Sequence, residues 1–182
     1  MNTGRMKPTQ LKFILIIASV RSGRIGPTVA QWFVDQVAPY GIDVEIIDLA
    51  EPTGPHTTEL LEMADGFIVV TPEYNHSYPG DLKILIDAHG TQWKHKPVTI
   101  VSYGGMSGGL RAAEHLRAVF AEVYSVGTRN GVVVHAPWDH ITDGRLVLDE
   151  DAIASTRGAM DELIWWAELL KPERGARDEG AA

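Results

Sequence analysis

Residues 13–37 read FILIIASVRSGRIGPTVAQWFVDQV, and the change of pattern inside this stretch decides the fold. Phe13 to Ala18 is apolar without interruption, as a strand buried on both faces should be. After Pro27, which suits a first helical turn, Val29, Phe33 and Val37 recur on one helix face, and Gly41 suits its end. Between strand and helix lies SVRSGRIG, residues 19–26, with two arginines, two serines and two glycines in a chain whose net charge is −8. A helix N-terminus already presents unpaired N–H groups and a partial positive charge, so the arginines concentrate positive potential at one point. The loop therefore reads as an anion site, with a plain solvated turn as the competing reading. Backbone N–H groups, a hydroxyl from Ser19 or Ser22 and the Arg24 guanidinium match the oxygens of a phosphate monoester. Neither G-x-G-x-x-G nor G-x-x-x-x-G-K-[ST] occurs here, so a single terminal phosphate fits better than a pyrophosphate.

The alternation continues along the chain. DVEIIDL (43–49), GFIVVTP (66–72), PVTIVSY (97–103) and GVVVHAP (131–137) read as four more strands. Leu110, Ala113, Leu116 and Phe120 carry helical spacing, and Ile153, Met160, Ile164 and Ala167 do so again, widened by Leu163, Trp166 and Leu170. Strands alternating with helices imply an α/β domain with a five-stranded parallel sheet covered on both faces. The 182 residues suit one domain, spanning 11–172, with disordered polar tails expected at 1–10 and 173–182.

Composition narrows the function. Without cysteine there are no disulfides, thiolate metal sites or cysteine nucleophiles, and a cytoplasmic protein is expected. The apolar run from Phe13 to Val20 ends in VRSGR and not in a small-residue cleavage site, so it reads as a strand and not as a secretory signal. No run approaches the roughly 18 apolar residues of a membrane span. Acidity without a Lys/Arg stripe argues against nucleic-acid binding. The histidines at 76, 89, 95, 115, 135 and 140 lack ligand-spaced pairing, so no metal site is expected.

In open parallel sheets ligands bind at the carboxyl ends of the strands where strand order reverses, which directs attention to the loops after the first, third and fourth strands. The second of these, TPEYNHSYPG (71–80), sets Tyr74, Asn75, His76, Ser77 and Tyr78 between Pro72 and Pro79. Aromatic faces with amide, hydroxyl and imidazole groups suit a flat heteroaromatic ring, and a merely rigid connection is the alternative. The third, SYGGMSGGLR (102–111), has glycines at 104, 105, 108 and 109 that let backbone approach a ligand closely. A phosphate nest, a ring platform and a glycine wall together describe a flat, phosphorylated cofactor.

SVRSGRIGPTVAQW, TPEYNHSYPGDLK and SYGGMSGGLRAAEHLR, in that order, resemble the motifs of the NADPH-dependent FMN reductases of flavodoxin-like fold, with azoreductase-like, quinone-reductase-like and chromate-reducing members. The resemblance implies a three-layer sandwich with strand order 2-1-3-4-5. It also implies bound FMN, and NADPH or NADH as donor to a small acceptor: free flavin, quinone, azo compound or metal ion. It assigns the FMN phosphate to Ser19, Arg21, Arg24 and the backbone of Ile25 and Gly26. The ring is assigned to Pro72, Glu73, Tyr74, Asn75 and His76, with Ser102, Gly104, Gly105 and Gly108 on the other side. No catalytic side chain is expected, because the flavin carries the chemistry. Ala18 stands where the family usually has glycine, and Ile84 where many members have asparagine. A homodimer or homotetramer is expected, with Tyr74, His76, Tyr78, Leu82 and Ile86 offered to the partner. Trp93 and Trp138 read as lining the approach to the flavin. A non-enzymatic flavodoxin-like electron carrier is the alternative, although carriers of that kind use hydroxyls where this loop has arginine and glycine.

Overall fold

Strand β1 (Lys12–Ile17) has a parallel neighbour on each edge, and the computed structural model describes the chain around it from residue 11 to 180, with side chains to residue 174. β2 (Asp43–Asp48) pairs on one edge and β3 (Gly66–Pro72) on the other, and β4 (Pro97–Gly104) continues beyond β3. The outer edge of β4 is shared: β5 (Val126–Gly127) pairs with Pro97 and Val98, and β6 (Val132–His135) with Val101 to Gly104. The parallel order β2-β1-β3-β4-β5 is the one expected, with the fifth position split into two segments. Residues 128–131 cause the split. Thr128 N–H and Oγ1 both bond the Val98 carbonyl, and Gly131 comes so close that a Cβ there would stand 2.8 Å from the Ile100 carbonyl oxygen.

Side chains alternate between the two faces of the sheet. Phe13, Leu15 and Ile17 join Ile68, Val70, Val101 and Tyr103 against α1 (Gly26–Val37) and α5 (Glu150–Gly180). Ile14, Ile16 and Ala18 join Phe67, Val69, Val98 and Ile100 against α2 (Pro55–Met63), α3 (Gly80–Ala88) and α4 (Leu110–Glu122). The uninterrupted apolar run of β1 is thus explained: it faces a helical layer on each side. A short antiparallel hairpin of β7 (Ile141–Thr142) and β8 (Arg145–Leu146) packs near α1. Among the described residues no helix is long and apolar enough to cross a membrane.

Three expectations change. Leu82 and Ile86 are fully buried in the core, so α3 turns that stripe to its own sheet, while Ile84 between them is 69% exposed. Trp93 is also fully buried, packed on Phe67 and Phe120 with its indole N–H donated to the Ile86 carbonyl at 3.1 Å, far from a ligand approach. The third concerns the C-terminus, where α5 runs through Pro172 to Gly180 although a tail was expected from residue 173. Its last described side chains are anchored: Lys171 and Arg174 both reach the buried Asp65 carboxylate, at 2.7 and 2.8 Å, and Arg174 also reaches the His95 carbonyl. Asp65 additionally accepts the Lys12 N–H, so one carboxylate joins α5 to the start of β1. The tail expected at 1–10 lies outside the described residues.

Lys96, just before β4, is buried beneath the end of α2 and donates to the carbonyls of Leu61 and Glu62 at 2.7 and 2.8 Å. Burial, helped by the nearby Arg174, lowers its pKa from the ordinary 10.5 to about 8. Between these values the unfolded chain holds a proton that the folded protein has released, so folding is favoured as pH rises through that window. Denaturant titrations across it should show the wild type gaining up to about 3 kcal/mol relative to Lys96→Met. Parallel pH curves for the two proteins would refute the assignment.

Candidate functional site

Three loops leave adjacent strand ends at the carboxyl edge of the sheet, where Ile17 is in register with Val70 and Pro72 with Tyr103. The first loop is held by Arg24. Its terminal nitrogens donate to both Asp48 carboxylate oxygens, at 2.6 and 2.7 Å, and to the Ser19 carbonyl at 2.9 Å. Against the cost of burial, this pairing and the Ala50 N–H hold the Asp48 carboxyl below its usual range. Gly23, at φ +71, supplies the left-handed residue of the turn. Arg24 thus lines the cleft with both ends of its fork committed to protein, while Arg21 lies with its guanidinium 3.6 Å from the centre of the Tyr74 ring.

α1 begins at Gly26 with no side-chain cap on its N-terminal N–H groups. A Cβ at Gly26 would collide with Ser19 Oγ and stand 3.0 Å from the Tyr103 hydroxyl. Those two hydroxyls are the only buried side-chain polar atoms without a hydrogen-bond partner among the described residues. Burial pushes the Tyr103 phenol up to about 12, despite the pull of nearby Ser19 and Arg24 in the other direction.

The second loop is a tight reversal. Tyr74 and Ser77 exchange backbone hydrogen bonds at 2.7 and 3.0 Å, with Asn75 and His76 between them at φ +50 and +70. Two left-handed central residues mark a type I′ geometry, so the side chains of Asn75 and His76 sit exposed at its tip. The third loop is tied to the second through Glu73. Its carboxylate accepts from Ser107 Oγ, from the Arg111 backbone N–H at 3.2 Å and from Arg111 Nε at 2.6 Å. These bonds outweigh desolvation and lower the Glu73 pKa.

The glycines divide by task. Gly104 and Gly105 line the cleft. Gly108 and Gly109 serve packing: a Cβ on the former would meet Val133 at 2.5 Å, and one on the latter would meet the Tyr103 backbone nitrogen at 2.6 Å. Ser102 is buried and bonds the Gly108 carbonyl. Trp138 lies against Gly105, 3.7 Å from where a Cβ would be, and enters through Ala136, a left-handed residue whose N–H bonds the Gly104 carbonyl at 2.7 Å.

The result is a cleft of about 410 Å³. Of the residues expected at the site, Arg21, Arg24, Ile25, Pro72, Glu73, Tyr74, Gly104 and Gly105 line it. Ser19 and Gly26 meet beside Tyr103, while Asn75, His76, Ser102 and Gly108 are not on its wall. A larger groove of about 710 Å³ lies between α1 and the β7–β8 hairpin, away from these strand ends. Sequence reading missed Tyr103, Asp48 and Arg111. The alternation of β4, which puts Tyr103 on the same face as Ile17, was the signal for the first, and an acid closing the second strand beside an arginine loop was the signal for Asp48.

Glu73→Gln should destabilise the protein by roughly 1–2 kcal/mol at neutral pH, less than a fully buried pair because Arg111 is half open to water. A lowered carboxylate pKa stabilises above the unfolded value of 4.5, and that stabilisation is lost as pH falls through the folded one. The difference from wild type, read by denaturation, should therefore close in acid. A gap that persists there would show that the charge is not responsible.

Comparison with known proteins identifies the family. The family described as NADPH-dependent FMN reductase matches residues 11–139. An NAD(P)H-dependent FMN reductase of Schizosaccharomyces pombe is 38% identical over 120 residues, 54% of this chain and 60% of that protein. An FMN-dependent NADPH-azoreductase of Staphylococcus haemolyticus is 28% identical over 165 residues, 78% of this chain and 86% of that one. Among solved structures, the flavoenzyme NAD(P)H:(acceptor) oxidoreductase FerB of Paracoccus denitrificans superposes with a TM-score of 0.70 at 22% identity, covering 88% of this chain and 98% of that one, and so shares the fold. The chain belongs to the NADPH-dependent FMN reductase family of oxidoreductases, which use FMN and NAD(P)H.

Proposed function

We propose that the cleft between the three loops holds FMN and that the protein passes reducing equivalents from NADPH or NADH to a small conjugated acceptor, a quinone or an azo compound, in the cytoplasm. The observation that carries this reading is the uncapped N-terminus of α1, where Ser19 Oγ is buried and packs so closely on Gly26 that a Cβ there would collide with it. Such a corner lacks an acceptor that the protein does not supply, and a phosphate monoester supplies it. The volume of about 410 Å³ also suits a small-molecule site.

In this reading Ser19, Arg21 and the N–H groups of Ile25 and Gly26 hold the phosphate, and Arg24 adds charge from the side while bracing the loop. Pro72, Glu73 and Tyr74 meet one side of the ring, and Gly104 and Gly105 the other. Asn75, His76, Ser102 and Gly108 act through the shapes of the loops they form. FMN, when bound, supplies the hydride and electron transfer that none of these side chains can perform. The chain's own part is positional. Glu73 is kept ionised and tied to Ser107 and Arg111, so it fastens two loops and is no proton donor. Tyr74 and Trp138 give the cleft aromatic surface from separate loops, against which a flat acceptor can stack.

Purified protein mixed with FMN should retain the visible flavin spectrum, quench flavin fluorescence and reduce a quinone with NADPH or NADH. No retained flavin at micromolar protein would end this reading, and retention without turnover on any quinone or azo compound would favour the electron carrier.

The homodimer or homotetramer is proposed with its α3 contact moved from Leu82 and Ile86 to the exposed Ile84, beside the reversal at Asn75 and His76. Ile84→Asp should shift light scattering toward monomer with the fold intact, whereas Ile86→Asp should cost several kcal/mol of stability as a charge placed in the core. A wild type that scatters as a monomer while fully active would refute the assembly.

A further inference from the structure

Tyr103 presents a problem that the packing around it does not solve. Its ring belongs to the core cluster beneath α1 and α5, where phenylalanine would fill the same space, yet it carries a buried hydroxyl whose one polar neighbour is the Ser19 hydroxyl. Two facing hydroxyls satisfy at most one of their two O–H donors between them, and the donor left over calls for an acceptor that the chain does not supply. Its position says what kind. It stands beside Ser19 Oγ, the other orphan, at the point where a Cβ on Gly26 would intrude, and it lines the cleft. Donors converge there: two hydroxyls from different strand ends, the uncapped N–H groups of α1, and the positive potential of Arg21 and Arg24. Arg24 keeps three of its five N–H groups on Asp48 and the Ser19 carbonyl. The site therefore offers neutral donors aimed inward with charge held behind them, which matches an anion with several acceptor oxygens on one centre.

We infer that the Tyr103 hydroxyl, together with Ser19, is a direct ligand of the terminal phosphate of the bound flavin, and that this pair makes the protein prefer phosphorylated over unphosphorylated flavin. The inference rests on the FMN reading above. The phenol keeps its proton far into the alkaline range, so it donates at every working pH. Arg24 has the complementary role of positioning residue: it fixes the Ser19 backbone through its carbonyl and ties the loop to β2.

The test uses apoprotein of the wild type, Tyr103→Phe and Arg24→Ala, titrated with FMN and with riboflavin by flavin fluorescence, and heated with and without inorganic phosphate. Tyr103→Phe should weaken FMN by roughly ten- to a hundredfold, as expected for a hydrogen bond to a charged group, and leave riboflavin within about twofold. Because it removes an unsatisfied hydroxyl, it should leave the apoprotein's Tm unchanged or raised, and it should shrink the Tm increase that phosphate gives the wild type. Arg24→Ala should instead lower the Tm and weaken both flavins. Equal losses of FMN and riboflavin in Tyr103→Phe, or an FMN affinity unchanged from a wild type that binds it, would overturn the inference and leave the FMN reading standing. A wild type that binds no flavin but shows a Tyr103-dependent phosphate shift would overturn the flavin reading and keep the anion site. A wild type responding to neither would overturn both.

Discussion

Burial of β1 on both faces from Phe13 onward is the constraint from which the site follows. The strand is bonded on both edges and packed on both faces, so its backbone polar groups are satisfied until Ala18, whose N–H reaches the Val70 carbonyl. Beyond that residue the sheet offers little more, and the chain must enter a helix on one face while the strands to either side connect elsewhere. The backbone N–H groups at the start of α1 are left facing a gap between β1, β3 and β4. A parallel sheet buried on both sides creates such a gap because of its geometry, and sequence only decides what lines it.

What lines it here is organised by two carboxylates whose charge is matched within the protein. Asp48 at the end of β2 holds the first loop through Arg24, and Glu73 at the end of β3 holds the third through Ser107 and Arg111. Both acids are ionised and matched to forked or multiple donors, so each loop is fixed by charge-assisted bonds. The groups left at the cleft are Arg21, neutral hydroxyls, aromatic rings and glycine backbone. This division lowers the reorganisation needed on binding, since the strong interactions are already made within the protein.

Periodicity made most of this fold legible. The continuous apolar runs of β1, β3 and β4 and the amphipathic faces of α1 and α4 can be counted directly, and with them come the three loops. Interactions across the chain were not legible. Arg24 reads as a ligand for phosphate, and only the fold shows that Asp48, in a different strand, also holds two of its N–H groups. α3 is only nine residues and apolar on more than one side, so Leu82 and Ile86 could not be told from Ile84 by pattern. The sequence ERGARDEGAA reads as a tail by composition, whereas its residues 173–180 continue α5, with Arg174 reaching Asp65 across the molecule. Asn75 and His76 were assigned to the ring from chemistry alone, whereas the left-handed turn that directs them outward requires backbone dihedrals that no side-chain pattern reports.

Several unfavourable features of the molecule lie at the same place. Of the six non-glycine residues with positive φ among those described, Asn75, His76 and Ala136 shape the second loop and the entry to Trp138. Each such residue costs on the order of 1 kcal/mol, and the unpaired hydroxyls of Ser19 and Tyr103 add to that total. Elsewhere, buried polar side chains such as Asp65, Thr99 and Thr128 all have partners. Strain and unsatisfied donors are tolerable at the cleft because two continuous cores flank the sheet and offset them. They are useful there because a ligand that completes the donors recovers in binding what the apoprotein gives up in stability.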